Sequence, residues 1–216
     1  DKKILTVEDP VEYQIPGINQ VQVHPKIGLT FPRVLRSFLR QAPNVVLVGE
    51  IRDRETAEVA IQASLTGHLV FSTVHTNDAP SAVTRLLDMG VPPFLIATSL
   101  QGVLAQRLLR RLCEECAIES SASSLEQNIL NVNAADKIMR PQGCKHCGGT
   151  GYRGRLGAFE WLELDESMRE TLFQSDDPSA FTAVANSSSR LSRLSDDAIC
   201  KAKLGQTTVE EVLRIT

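Results

Sequence analysis

Asn44-Val45-Val46-Leu47-Val48-Gly49-Glu50-Ile51-Arg52-Asp53 is an apolar run that ends in an acid. The apolar part suits a buried strand, and Glu50 falls where that strand leaves the sheet. A strand of this kind is how a nucleotide-hydrolysing domain delivers a carboxylate to Mg²⁺ and water beside a phosphate. The expected companion, a Gly-x-x-x-x-Gly-Lys-Ser/Thr phosphate loop, occurs nowhere in the 216 residues.

Working outward from this stretch, strand and helix signals alternate. Ile4-Leu5-Thr6-Val7 reads as a strand ending at Glu8-Asp9-Pro10, with Glu12 just beyond. Val21–Val23 alternates like an edge strand. Thr30 is placed to cap a helix over 31–41, closed by Pro43, and Asp53 to cap one over 54–65, closed by Gly67. His68–Val74 is a further strand that exits at His75-Thr76-Asn77. Asp78 opens a helix that stops at Gly90, and Pro92-Pro93 starts a longer helix expected to reach Leu112. Such alternation implies a mostly parallel sheet covered on both faces. Residues 117–142 read as polar and irregular, with a serine-rich, linker-like run at 120–124. Ala158–Leu164 reads as a late strand, and the remainder as short helices.

Composition excludes several classes. At 42% hydrophobic residues the chain can bury a core, and its net charge of −3 gives no general reason to expect nucleic acid as a partner. No apolar run approaches the roughly 18 residues of a membrane span. The chain opens on Asp1, without an initiator Met, and enters a strand at once. That is expected of a piece of a longer protein, not of a signal peptide.

Four groups of residues carry possible chemistry. Glu8, Asp9 and Glu12 lie at one strand end and Glu50 at another. In a parallel sheet both exits face one crevice, where Mg²⁺ and phosphate oxygens would find carboxylates and Glu50 would orient or deprotonate water. The alternative is ordinary solvated loop acids. Arg33, Arg36 and Arg40 share the face opposite Phe31, Val34, Leu35, Phe38 and Leu39. They suit a phosphate from a neighbouring subunit, or form a solvated basic face. His75 is placed to bond a phosphate or the acid cluster, or simply to cap a strand end. Cys113-Glu-Glu-Cys116 and Cys144-Lys-His-Cys147 are two knuckles that make a Cys₄ tetrahedral site. The metal expected there is Zn²⁺, in a structural role because thiolates fill all four positions; a redox dithiol is the competing reading. Cys200 has no partner and reads as a buried small hydrophobe.

Taken together, these segments resemble the secretion and pilus traffic ATPases: the general secretory pathway protein E of type II secretion and the type IV pilus assembly ATPases. Leu5-Thr-Val-Glu-Asp-Pro-Val-Glu12 resembles that family's Asp box. Val45–Asp53 resembles its Walker B motif, including the Gly49 that replaces the usual first acid. Thr66–Asn77 resembles its His box. The four cysteines resemble the tetracysteine motif of the secretion and pilus-assembly branches, which the retraction ATPases lack.

The resemblance implies an α/β fold: a partial RecA-like P-loop ATPase core with a Cys₄ zinc knuckle and a C-terminal helical region. It divides the chain into the core portion after Walker A (1–112), the tetracysteine insertion (113–150), and a late strand with C-terminal helices (151–216). It implies Glu50 as catalytic glutamate, Glu8 as Asp-box acid, His75 as His-box histidine, and Arg36 and Arg40 as phosphate-contacting arginines. Asp9 is expected beside the nucleotide. The intact protein is then a cytoplasmic homo-hexamer using ATP with Mg²⁺, held peripherally at the inner membrane by platform proteins, and powering protein secretion or pilus assembly. The sequence lacks the Walker A segment, so the chain alone is expected to be inactive, a zinc-stabilised interaction module.

Overall fold

The computed structural model describes residues 2–216. In chain order the elements are β1 (Ile4–Glu8), β2 (Asn19–Gln22), α1 (Phe31–Phe38), β3 (Val45–Val48), α2 (Arg54–Leu65), β4 (Leu69–Ser72), α3 (Ala79–Asp88) and α4 (Pro93–Ser99). There follow β5 (Gly102–Leu112), β6 (Ile118–Ser121), α5 (Ser124–Leu130), β7 (Lys137–Arg140) and β8 (Tyr152–Glu163). The last are α6 (Glu166–Gln174), α7 (Pro178–Ser187), β9 (Leu191–Ser192), α8 (Leu194–Lys203) and α9 (Val209–Ile215). They form two compact units, one of residues up to Gly102 with Glu163–Ser188, the other of Val103–Leu162 with Ser189–Thr216.

The first unit holds a four-stranded sheet in the order β2-β1-β3-β4. Every pairing in it is parallel, with Thr6 opposite Gln20 and Leu47, and Val48 opposite Ser72. Alternation along the strands sorts the side chains. Leu5, Val7, Val46 and Val48 point into a core with Val34, Leu35 and Phe38 of α1 and Val59 and Ala60 of α2. α1 is amphipathic at helical spacing, so one stripe of it closes this face. The sheet was expected to be buried on both faces, but β3 is fully buried on one face only, and the outermost strand β4 leaves Leu69 and Phe71 about half exposed.

Local signals set the helix ends. The Asp53 carboxylate accepts from the Thr56 N–H at 2.8 Å, and Asp78 from the Ser81 N–H at 2.7 Å, so both expected caps form. Gly67 takes φ +94°, which ends α2 in a left-handed turn closed to most side chains. Thr30 occupies the cap position of α1 but makes no side-chain cap bond there. α1 ends at Phe38, before the expected 41, so Arg40 lies in the following turn.

Three expectations fail beyond Pro93. The helix from Pro93 stops at Ser99, and the eleven residues Gly102–Leu112 are strand β5, which joins β8 and β9 in an antiparallel-edged sheet. The helix ends where Leu100 turns to extended backbone, at φ −75° and ψ 125°. The stretch 117–142 is ordered as a β6–β7 antiparallel hairpin around α5, whose start carries a reciprocal Ser123–Glu126 capping box. Cys200 is exposed rather than buried.

The second unit is tied by Glu211, whose side chain is only 1% exposed. It accepts from the Arg110 backbone N–H at 2.7 Å, Arg110 Nε at 2.9 Å and Arg214 Nη2 at 2.8 Å. Burial alone would push this carboxyl up, but hydrogen bonds from Arg214 and Arg110 outweigh it and hold it down at about 2. Arg110 also lies over the Tyr152 ring at 4.1 Å, so α9, β5 and β8 are fastened at one point.

Candidate active site and metal centre

The candidate active site is the row of strand exits in the parallel sheet. Gly49 lets two of them close up. Its N–H donates to Val7 O at 2.7 Å, and a Cβ there would stand 3.2 Å from both the Glu8 Cα and Val7 O. A side chain at 49 would push the strand ends apart, which is a physical reason for glycine between the apolar run and the acid. On the other side Thr73 Oγ1 donates to Gly49 O at 2.6 Å and the Ile51 N–H to Thr73 O at 3.0 Å, so β4 holds the β3 exit too.

Glu50 emerges from this clasp buried, at 8% exposure. Its Oε2 lies 3.3 Å from His75 Nε2, so the structure brings together the Walker-B-like acid and the His-box-like histidine. The same oxygen accepts from Arg52 Nε. That bond, and the negative field of Asp9, raise the Arg52 pKa and keep the guanidinium charged. Sequence reading passed over Arg52. Its position two residues beyond Glu50, which strand-like alternation would carry to the same side, was the available signal.

Glu8, half-buried at the neighbouring exit, accepts through Oε1 from Thr6 Oγ1 and from Gln20 Nε2. Asp9 is exposed beside it. Arg36 projects from α1 and pairs with Glu55 of α2 at 2.8 Å. The arginine face, which has no acid of its own at helical spacing, therefore gains one from a second helix. Both members are more than half exposed, so the pair is weak and easily exchanged. Arg33 donates to Gly28 O at 3.2 Å, and Arg40 is exposed.

The candidate metal centre lies in the second unit. The four sulfurs of Cys113, Cys116, Cys144 and Cys147 lie within 4.8 Å of one another. Adjacent Sγ atoms are separated by 4.0, 3.8 and 3.8 Å. These are no disulfides, whose sulfurs bond at about 2.05 Å. A tetrahedron with Zn–S bonds of about 2.3 Å has edges of about 3.8 Å, so the set fits a tetrahedral thiolate ion. The backbone N–H groups of Cys144 and Gly151 each donate to Cys147 Sγ at 3.2 Å. The Cys144 N–H foremost brings that thiol down to about 6, while burial pushes Cys116 up to about 12. A bound cation would favour the thiolate at all four. Gly143, at φ +97°, is irreplaceable here, since a Cβ would strike Gly149 O at 2.5 Å.

Among the described residues no helix is long and apolar enough to cross a membrane.

A family model described as "Type II/IV secretion system protein" matches residues 1–214. Type II secretion system protein E of Pseudomonas aeruginosa is 51% identical over 217 residues, covering 100% of this chain and 43% of that protein. Type IV pilus assembly ATPase PilB of Thermus thermophilus is 48% identical over 220 residues, covering 100% of this chain and 25% of that protein. The solved pilus retraction motor PilT with bound ADP has a TM-score of 0.68 at 26% identity, covering 100% of this chain and 53% of that one. The Yersinia pseudotuberculosis ATPase DotB shares the fold with a TM-score of 0.70 at 22% identity, covering 99% of this chain and 48% of that one. The chain spans less than half the length of these curated relatives. The α/β fold class is thus borne out by the parallel sheet, the cysteine cluster and these neighbours, and the chain belongs to the Type II/IV secretion system protein family.

Proposed function

We propose that this chain is the part following the phosphate loop of a hexameric ATPase that powers type II protein secretion through pseudopilus assembly. The observation that carries the reading is Glu50, a buried carboxylate at the end of an apolar strand, with His75 Nε2 at 3.3 Å and the Glu8 exit closed against it across Gly49. Glu50 would orient or deprotonate the attacking water, and His75 would report on the nucleotide through that carboxylate. Glu8 and Asp9 would hold Mg²⁺, which with ATP supplies the electrophile. Arg36, released from Glu55, and Arg40 would contact phosphate. The outer edge of β4, which pairs with no other strand among the described residues, suits a further strand bearing the phosphate loop. The tetracysteine centre would hold a structural Zn²⁺. The division by role at 1–112, 113–150 and 151–216 belongs to this proposal, although the two compact units cut across it. In the same reading the intact protein is cytoplasmic and reaches the inner membrane through platform proteins.

The test is ATP hydrolysis by the intact parent protein and its Glu50→Gln variant. The expected loss in kcat is roughly 10²–10⁴-fold, the range for a positioned general base. Undiminished turnover overturns the reading. The similarity to PilB favours a second one, a type IV pilus assembly ATPase. Deletion of the parent gene separates the two, since one predicts loss of exported protein and the other loss of pili.

A further inference from the structure

The face of β1 and β2 turned away from the core carries four polar side chains. Because Leu5 and Val7 point inward, Thr6 and Glu8 point outward, and the parallel register sets Gln20 opposite Thr6 and Gln22 opposite Glu8. Gln20 spends its whole amide here. Its Oε1 accepts from the Ile15 N–H at 2.7 Å, which leaves Nε2 to donate to Tyr13 O and Glu8 Oε1, both at 3.0 Å. The backbone N–H at 15 can only donate, so it fixes the amide orientation and aims the nitrogen at the carboxylate. Gln22 Oε1 accepts from the Val11 N–H at 3.2 Å, tying down the segment that follows Glu8. Thr6, buried at 5% exposure, supplies the second donor to Glu8 Oε1.

The Glu8 carboxylate is thus asymmetric. Oε1 takes two hydrogen bonds, and Oε2 takes none from the described residues. A carboxylate held by one oxygen cannot swing or swap its oxygens freely, so the other is presented in one direction. We propose that Gln20 is a positioning residue: with Thr6 it locks Glu8 Oε1 and leaves Oε2 as the oxygen offered to the Mg²⁺ of the nucleotide complex. This rests on the reading of Glu8 given above. It adds that the loop at 13–15 is coupled to the metal-facing acid through a single amide.

The experiment compares Glu8→Gln, Gln20→Leu and Gln20→Glu in the intact parent protein. It measures kcat, KM for ATP, the Mg²⁺ concentration for half-maximal activity, and Tm. Gln20→Leu should lower kcat and raise the Mg²⁺ requirement by roughly 10–100-fold, the usual penalty for losing a group behind a metal-binding side chain. KM for ATP at saturating Mg²⁺ should hold. Gln20→Glu keeps the shape and the bond to Ile15 but turns a second carboxylate on Glu8, so it should be the worse of the two. A role in packing alone would reverse that order. If Glu8→Gln is fully active, the functional reading fails, and this inference with it. If Glu8→Gln is impaired while both Gln20 variants match wild type, or lose activity with an unchanged Mg²⁺ requirement, positioning by Gln20 is overturned and the reading of Glu8 stands.

Discussion

Stripping metal from the tetracysteine centre should loosen the chain by an amount that follows from its loop length. A four-thiolate ion bonds Cys113 and Cys116 to Cys144 and Cys147, closing a loop in which 27 residues separate Cys116 from Cys144. The chain-entropy relation for a cross-link around such a loop gives about 3.5 kcal/mol at 25 °C. The closed segment is polar, and its buried side chains are few: Ala122, Glu126, Leu130 and Ile138. It therefore has little apolar burial with which to offset lost closure. For a chain of this size, about 3.5 kcal/mol lowers Tm by roughly 7–14 °C. Two measurements bear on this. Metal analysis of the purified chain should find about one Zn²⁺, with X-ray absorption showing four sulfurs at about 2.3 Å. Melting with and without a strong chelator should show the drop, and Cys144→Ser should reproduce it without chelator. A folded, metal-free chain whose Tm ignores chelator would refute the reasoning, because the 3.8–4.0 Å sulfur spacing would then need another cause.

Two smaller perturbations bear on the frame. Glu211→Gln removes the charge from a side chain 1% exposed while leaving two half-exposed guanidinium groups against it, so it should cost about 2 kcal/mol in denaturant unfolding. The folded pKa of Glu211, about 2, lies below the unfolded value near 4.5, so its stabilisation is full above about pH 5 and drains away as pH falls toward 2. Wild type should lose its advantage over the variant in that window and nowhere above it. Gly49→Val should cost about 1–3 kcal/mol by overpacking against Glu8 Cα and Val7 O, and in the intact protein should lower turnover beyond what the stability loss explains.

The parts of this molecule that were legible in sequence share a cause, and so do those that were not. Val45–Val48 followed by Glu50 could be read because a parallel sheet needs apolar strands, and its topology sends every strand exit to one edge; the caps at Asp53 and Asp78 are equally local. The stretch from Gly102 to Leu112 is built of Val, Leu, Ala, Gln and Arg, mostly good helix formers, and becomes a strand because β8 offers it a ladder. Polarity hid α5 at 124–130, although the Ser123-x-x-Glu126 signature was there to be read. In the candidate site the same division holds between the acids and what holds them. Arg52 and Thr6 lie two residues from Glu50 and Glu8, within reach of an alternation argument. Gln20 reaches Glu8 from twelve residues away and Glu55 reaches Arg36 from nineteen, through strand register and helix packing that no local pattern states. A carboxylate at a strand end can therefore be found from sequence, whereas which of its oxygens is free depends on the register of the neighbouring strand.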